Sequence, residues 1–242
     1  MVVLRDEQRI ARMAKFGQVA SLVGMVALIG GLIIAFTNVE NVFLYQLLAL
    51  SLGWIMSQIG IYLAQRYLRS PRPDEVLDEA LRKVAKDGRL YHYLLPAPHV
   101  LLQRDGVIVL VPKFQGGNIS VKGDKWKQTG VGLRRFFGQE SLGNPTREAE
   151  TMVRVLAGYI SKHAPGVEEV PIGALIVFTT KGLKNLDVKD SRIPAMHYTK
   201  LKGFLRQQKR DKLLSQEDYE AIRAAFDKKA AHLIGNDGED TA

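Results

Sequence analysis

Two long apolar runs fill most of the first quarter of the chain. Residues 17–37 and 43–65 contain no Asp, Glu, Lys or Arg. Each run has about the 20 residues that a helix needs to cross a hydrocarbon core about 30 Å thick. Because lipid offers no partner to backbone N–H and C=O groups, a spanning segment must be helical. We therefore predict a two-helix transmembrane hairpin over residues 17–66, unlike a signal peptide with its single short apolar region.

The pattern changes after a proline-containing linker at residues 67–73. Residues 74–88 place apolar side chains on one helical face, with acidic residues at the start and a glycine at the end, as in a capped helix. Residues 90–128 instead show short apolar or alternating runs separated by Gly and Pro. This pattern predicts three or four mostly antiparallel strands, with hairpin turns at 104–106 and 116–117.

Helices and strands alternate in the rest of the chain. Asn144 and Pro145 are the residue types of a helix N-cap and first helical position, and an apolar stripe follows them to Gly166. Buried strands are predicted at residues 173–182 and 186–190, and a helix at residues 196–211.

Together these elements predict the fold class. Residues 74–212 are expected to form an α/β (α+β) domain with a mixed central sheet flanked by helices. A C-terminal amphipathic helix follows at residues 213–234, with Ser215 and Asp218 forming a capping-box-like start. Residues 235–242 are polar and acidic, so we expect a disordered tail.

Charge around the hairpin predicts its orientation. Residues 1–16 form a basic segment, three arginines follow the second span, and the connecting loop has one acid and no base. Positive flanks favour the cytoplasmic side. We therefore expect a multi-pass protein of the inner, cytoplasmic membrane with both termini in the cytoplasm, which the lack of cysteine suits. No ionisable residue lies inside either span, which favours an anchor over a channel.

Small residues recur at every fourth position in both spans. Such ridges let helix backbones approach closely in lipid. They predict packing within the hairpin and, as another use of the same faces, contacts in a homo- or hetero-oligomer. The residues are Ala27, Gly31 and Ala35 in the first span and Ala49, Gly53 and Ser57 in the second.

The region after the linker resembles a known domain family. A strand ends at Lys113, a tryptophan follows at Trp126, and an Asn-Pro helix begins at Asn144. In these residues, in His99 and in the order of elements over residues 75–206, the chain resembles the nuclease-related domain (NERD) family of the restriction-endonuclease-like PD-(D/E)xK superfamily. The resemblance implies a restriction-endonuclease-like fold with a Mg²⁺ site for phosphodiester cleavage at the strand end.

The acids that this resemblance implies are missing from the sequence. The family places a carboxylate directly before His99 and another two residues before Lys113, where this chain has Pro98 and Val111. Neither side chain can supply the oxygen ligands that Mg²⁺ prefers. We expect no metal or other cofactor, unless helix carboxylates have rebuilt an Mg²⁺ site. The candidates for that alternative are Lys113, Glu75, Glu79, Glu148 and Glu150. The five histidines show no metal-ligand spacing.

Positive charge is concentrated after the hairpin. Of 34 basic and 25 acidic residues, 30 and 22 follow residue 65, which leaves that part at +8. Beside a membrane, a basic face is expected to contact anionic lipid headgroups, at about 1 kcal/mol per basic residue. Nucleic acid is the other expected partner, with Trp126, Phe136 and Phe137 as stacking faces. The predicted basic face comprises Lys122, Lys125, Lys127, Arg134, Arg135, Lys200, Lys202, Arg206, Lys209 and Arg210.

These observations predict binding or scaffolding rather than catalysis. The expected molecule is a membrane-anchored cytoplasmic protein with a non-catalytic nuclease-related domain, whose basic face contacts anionic lipid, nucleic acid or a protein partner. One alternative is a metal-dependent nuclease rebuilt around Lys113. A second is an accessory subunit of a larger membrane complex that uses the hairpin as its interface.

Overall fold

The chain folds into two compact units. A helical unit contains residues 7–72 and Glu140. An α/β unit contains residues 1–6, 73–132 and the chain from residue 141. The helical unit therefore interrupts the α/β unit in sequence. The computed structural model describes residues 1–37, 40–132, 140–207 and 213–234.

Two apolar helices form the helical unit. α1 spans Glu7–Ile34 and α2 spans Val42–Leu63, and a π-helical turn follows at Ala64–Leu68. Both helices are long and apolar enough to cross a membrane. Most of their large apolar side chains are exposed, unlike those of a helix in a soluble core. α1 begins well before the predicted span. Its first turns carry charged residues, so the apolar run that predicted the span starts later than the helix itself.

Glycines bring α1 and α2 close together. A Cβ atom on Gly31 would lie 3.0 Å from the Cβ of Ala49, and one on Gly53 would lie 3.1 Å from the carbonyl oxygen of Gly24. The predicted packing through Gly31, Ala49 and Gly53 is therefore confirmed within the hairpin. Gly24 belongs to the same contact and was not predicted, because it lies outside the four-residue spacing of Ala27, Gly31 and Ala35.

Strands of the α/β unit form two sheets. Their bounds are Val2–Arg5 (β1), Arg89–His92 (β2), His99–Gln103 (β3), Gly106–Lys113 (β4), Gly117–Lys122 (β5), Lys125–Thr129 (β6), Ile172–Phe178 (β7), Leu183–Lys189 (β8) and Ala195–His197 (β9). The larger sheet has the order β1-β2-β3-β4-β7-β9. β2, β3 and β4 form an antiparallel meander, whereas β1 pairs parallel to β2, and β4, β7 and β9 run parallel. The predicted mixed sheet is confirmed, as is the turn at 104–106, where Gln103 pairs with Gly106.

The smaller sheet corrects the second predicted hairpin. Its order is β6-β5-β8, so β5 follows β4 in sequence but pairs with β6 and β8. The prediction of a hairpin turn at Gly116-Gly117 was wrong because the chain changes sheets there. The two glycines instead let the backbone pass close to Gly182. The Gly117 N–H donates to the Gly182 carbonyl at 2.8 Å, and a Cβ on Gly116 would lie 2.7 Å from that oxygen.

Helices cover both faces of the larger sheet, and their bounds are Pro73–Leu81 (α3), Pro145–His163 (α4), Tyr198–Gln207 (α5) and Gln216–Ile234 (α6). α3 and α5 pack on one face, where Leu77 and Leu201 join the buried core with Leu101 and Leu110. α4 and α6 supply buried residues to the core on the other face. The predicted sheet flanked by helices is thus confirmed.

Two short strands were missed by the sequence analysis. Val2–Arg5 was expected to be part of a basic N-terminal segment, but it forms edge strand β1 of the larger sheet. Ala195–His197 was assigned in part to a helix, but it forms the opposite edge strand β9. Such short strands have too few positions for a two-residue alternation to show. The helix predicted over 74–88 is also shorter and ends at Leu81.

Candidate functional site

Lys113 lies buried at the end of β4, on the face covered by α4. The alternate residues Val107, Val109 and Val111 belong to the core on that face, and Lys113 follows the same two-residue period. Its side chain is only 6% exposed, and its ammonium donates a hydrogen bond to the carboxylate of Glu148. Of the carboxylates predicted to join Lys113, Glu148 is the one in direct contact with it.

The N-cap of α4 positions that carboxylate. The side-chain oxygen of Asn144 accepts a hydrogen bond from the Arg147 N–H at 3.1 Å, and Pro145 occupies the first helical position. The N-cap predicted from sequence is confirmed. Glu148 therefore lies in the first turn of α4, where a negative charge is favoured.

Pro98 and Val111 stand where the nuclease-related domain family has acids. In this fold one accepts a backbone hydrogen bond and the other packs in the core. Val111 is fully buried in the apolar core between β4 and α4. The Pro98 carbonyl accepts a hydrogen bond from the Tyr93 N–H at 2.7 Å, which closes the connection between β2 and β3. A carboxylate in place of Val111 would be desolvated within the core, so this position holds an apolar side chain for packing.

The other candidate acids lie elsewhere. Glu75 and Glu79 belong to α3, which packs on the opposite face of the larger sheet from Lys113. Glu150 is on α4 but forms an ion pair with Arg192 at 2.8 Å. In the described chain, no group of three or more His, Cys, Asp and Glu side chains is arranged to hold a metal ion.

A buried histidine pair occupies the face of the sheet covered by α3. The Nδ1 atoms of His92 and His99 lie 2.7 Å apart, and His92 Nε2 lies 2.9 Å from Asp78 Oδ1. Arg5 contacts Asp78 and lies 2.9 Å from the buried carboxylate of Asp74. The histidines meet because His92 and His99 are register partners in β2 and β3. Sequence spacing alone did not reveal this pair, since it depends on the strand register.

Four lysines share the open face of the smaller sheet. Lys122 on β5 is the register partner of Lys125 on β6 and of Lys189 on β8, and Lys127 follows Lys125 on the same side. All four side chains are exposed. We call Lys122, Lys125, Lys127 and Lys189 the lysine face. Asp187, which lies 3.1 Å from Lys189, is the acid on this face.

The structure divides the rest of the predicted basic face. Lys200, Lys202 and Arg206 lie on α5, an element that covers the larger sheet, whereas the lysine face belongs to the smaller sheet. The residues predicted to share one basic face therefore lie on at least two separate structural elements, α5 and the smaller sheet. Arg134, Arg135, Lys209 and Arg210 lie outside the described residues, as do Phe136, Phe137 and the tail at 235–242.

Trp126 points away from the lysine face. It alternates with Lys125 and Lys127 along β6, its indole N–H donates to Thr146 Oγ1 at 2.9 Å, and its ring lies 6.2 Å from that of Phe178. Trp126 is half-buried as part of the packing between the smaller sheet and α4. The prediction that it offers a stacking face was therefore wrong.

Comparisons with protein-family models, with curated proteins and with solved structures find no match to this chain.

Proposed function

We propose that this chain is a membrane-anchored binding protein whose lysine face contacts anionic lipid headgroups. The single observation that carries the proposal is the grouping of Lys122, Lys125, Lys127 and Lys189 on one exposed sheet face of a chain with two helices suited to a membrane.

The membrane anchor follows from the helical unit. Large apolar side chains cover the outside of α1 and α2, and lipid is the environment in which such a surface is stable. Both ends of the helical unit continue into the α/β unit, through β1 before it and α3 after it. That connection supports placing residues 1–6 and 73–242 on the same side of the membrane, and the positive flanks favour the cytoplasmic side.

Lipid is the partner that the lysine face favours. Its four lysines and one aspartate give a net charge of +3. At about 1 kcal/mol per basic residue near an anionic surface, this charge is worth about 3 kcal/mol, or roughly a hundredfold in occupancy. Non-specific binding of single-stranded nucleic acid also uses aromatic stacking. Among the residues that the structure describes, the predicted stacking residue beside the lysine face is Trp126, and its ring turns inward.

Trp126 provides a direct test of lipid contact. Trp54→Phe leaves Trp126 as the single tryptophan of the full chain. This variant is reconstituted in nanodiscs with a dansyl-labelled lipid, in phosphatidylcholine alone or mixed with phosphatidylglycerol. We expect energy transfer from Trp126 to rise in the anionic bilayer and to fall again with added salt, because salt screens surface charge.

Charge variants assign the contact. Replacing the four residues of the lysine face by Gln should abolish the response to anionic lipid, whereas replacing Lys83, Lys86, Lys162 and Lys229 by Gln should leave it unchanged. Equal energy transfer in both bilayers would contradict the proposal. Binding of a labelled oligonucleotide through the lysine face, without any lipid response, would reassign that face to nucleic acid.

We further propose that the α/β unit is a nuclease-related domain that has lost its metal ligands. The resemblance at Lys113, Asn144 and Pro145 supports this, together with the apolar role of Val111. The contact between Lys113 and Glu148 favours the rival proposal of a rebuilt nuclease site. Incubating the full chain with plasmid and Mg²⁺ or Mn²⁺ should produce no cleavage. Cleavage that is lost in both Lys113→Ala and Glu148→Gln would establish the rival.

A further inference from the structure

A polar cleft lies beside the N-terminal half of α4. It measures about 370 Å³ and is bounded by the helix, by Asp124 in the turn between β5 and β6, and by Arg192 in the segment before β9. All of its walls belong to the α/β unit. It is separate from the contact of Lys113 with Glu148 and from the open side of the lysine face.

One arginine holds both carboxylates of this cleft. The guanidinium of Arg192 contacts the Asp124 carboxylate and lies 2.8 Å from Glu150. The backbone N–H of Arg192 and the hydroxyl of Thr146 also donate hydrogen bonds to Asp124 Oδ1, at 3.1 Å and 3.3 Å. The hydrogen bond from Arg192 is the main reason that the pKa of Asp124 lies below its ordinary value. Asp124 and Glu150 therefore already have a cationic partner at neutral pH.

Two further arginines line the cleft without such a partner. Arg147 and Arg154 are exposed on α4, on the side that also carries Glu150. Within the described residues, neither guanidinium forms a hydrogen bond or an ion pair. With Arg192 and the two carboxylates, they give the cleft a net charge of +1. In the part of the chain that the structure describes, these solvent-exposed donors face the open volume of the cleft rather than a protein acceptor.

Spacing and chemistry indicate the ligand. Arg147 and Arg154 are seven residues apart, about 10.5 Å along a helix and two turns on the same side. Side chains of this length can converge from both ends on one group between them. Arginine presents several N–H donors in a planar fork that matches phosphate oxygens. A carboxylate has only two oxygens and is satisfied by one fork, whereas a phosphoryl group can accept from both.

We propose that this cleft is a binding site for a small phosphorylated ligand, whose phosphoryl group lies between Arg147 and Arg154. Arg192 keeps Asp124 and Glu150 from repelling the anion and fixes the wall opposite α4. The phosphoryl group can come from a soluble compound or from a lipid headgroup, and the two sources share the same recognition chemistry.

Calorimetry on the full chain in a phosphate-free nonionic detergent tests the site. The probes are inorganic phosphate, pyrophosphate and short-chain phosphatidic acid, with chloride as the control anion. We expect saturable binding of pyrophosphate and at least tenfold weaker binding in Arg147→Gln/Arg154→Gln. Arg82→Gln/Arg104→Gln removes two exposed arginines elsewhere and should bind as the wild type does. Binding of phosphatidic acid but of neither soluble probe would assign the site to headgroups.

A second measurement on the unmodified sequence removes any dependence on how the variants fold. Phenylglyoxal modifies accessible arginines, and mass spectrometry locates the adducts. Pyrophosphate or phosphatidic acid should protect Arg147 and Arg154 selectively over Arg82. Absence of saturable binding, or equal modification with and without every probe, would overturn the proposal. The variant with four Gln residues on the lysine face should retain binding at this cleft, so failure here is distinguishable from failure of lipid contact at that face.

Discussion

The hydroxyl of Tyr91 joins the larger sheet to the last helix. It donates to Asp227 Oδ1 at 2.7 Å, and Arg89 contacts both the hydroxyl, at 3.2 Å, and the Asp227 carboxylate, at 3.0 Å. The ring is fully buried and meets Phe226 edge-on, with centroids 5.3 Å apart. Burial, followed by the hydrogen bond to Asp227, raises the pKa of Tyr91 well above its ordinary value.

This raised pKa predicts a loss of stability at alkaline pH. The unfolded tyrosine ionises near pH 10, whereas the folded one retains its proton to higher pH. The stabilisation is therefore fully present below about pH 10 and is lost as pH rises beyond it. We expect Tyr91→Phe to lower the free energy of unfolding by about 1 kcal/mol at pH 8, through the lost hydrogen bond, but to flatten the decline above pH 10.

Thermal denaturation of the full chain in detergent, followed by circular dichroism from pH 8 to pH 11, checks this. Tyr198→Phe, on α5, serves as the control and should follow the wild-type curve. An alkaline decline in Tyr91→Phe as steep as in the wild type would show that other groups cause it.

Removing Lys113 and removing Glu148 should lower the free energy of unfolding by different amounts, because the two partners of this ion pair are buried to different extents. The Lys113 side chain is 6% exposed and that of Glu148 is 34% exposed. Glu148→Gln leaves a buried cation without its anion, which we expect to cost about 2–3 kcal/mol, below the about 3–5 kcal/mol of a fully buried pair. Lys113→Met leaves a carboxylate that water can reach and should cost less.

Melting temperatures of the two variants and of the double variant test this asymmetry. We expect Glu148→Gln to lower Tm by about 4–12 °C, and Lys113→Met/Glu148→Gln to recover part of that loss. A greater loss in Lys113→Met than in Glu148→Gln would contradict it. The sequence placed Lys113 at a strand end correctly. It left Glu148 as one of four carboxylates, because the choice depends on which helix covers which face.

Strand β1 is short, but its last residue, Arg5, forms ion pairs with two acidic residues of α3. Arg5 lies 2.9 Å from Asp74, a carboxylate with no exposed side-chain surface, and also contacts Asp78 beside His92. The ion pairs connect the segment before α1 to the first helix after α2. The N-terminal segment thus forms part of the α/β unit.

Arg5→Ala should therefore destabilise the α/β unit. Asp74 and Asp78 would each lose the ion pair with Arg5, which we expect to cost about 2–3 kcal/mol because Arg5 itself is partly exposed. In Arg12→Ala, the loss of an exposed arginine of α1 should have little effect. Limited proteolysis of the full chain in detergent at increasing temperature measures the difference. Equal resistance of the two variants would show that the ion pairs of Arg5 do not stabilise the α/β unit.

The close packing of α1 against α2 predicts which glycines of the hairpin can be replaced without loss of stability. A Cβ on Gly60 of α2 would lie 2.2 Å from Ser21 Oγ and 3.0 Å from the Ser21 N atom, whereas one on Gly30 would meet nothing within 4 Å. Gly60→Leu should destabilise the hairpin by about 1–3 kcal/mol through overpacking. Gly30→Leu should leave it unchanged. Titration with SDS, followed by circular dichroism, compares them, and equal midpoints would contradict this packing.

The helices and strands that were predicted correctly from the sequence are those in which a local pattern of residues repeats several times or is marked by capping and turn residues. The N-cap at Asn144 and the long stripe of α4 are local signals, and so are the two apolar runs. The meander from β2 to β4 had clear turn residues. By contrast, β1, β9 and the second sheet depend on pairing between distant segments, such as β5 with β8, which no local pattern encodes.

The path of the chain constrains the molecule as a whole. Residues 1–6 and the chain from Pro73 belong to one compact unit, and β1 pairs with β2 along its full length. If α1 and α2 cross the membrane, they do so as a hairpin that begins and ends in the same folded unit. The N-terminus and the rest of the α/β unit are then expected on one side, and the loop between the helices on the other.

The natural sequence has no cysteine, so single cysteines can report this arrangement without a background. Val2→Cys, Lys184→Cys and Glu40→Cys place one thiol at an exposed position of β1, of β8 and of the loop between α1 and α2. In intact cells, a membrane-impermeant maleimide should label the Glu40→Cys chain alone. After permeabilisation it should also label the other two. Because β1 and β8 belong to the same compact α/β unit, Val2→Cys and Lys184→Cys must respond alike if the fold is right, whichever side the unit occupies. Labelling of these two from opposite sides would contradict the fold itself, whereas labelling of both from outside would reverse only the proposed orientation.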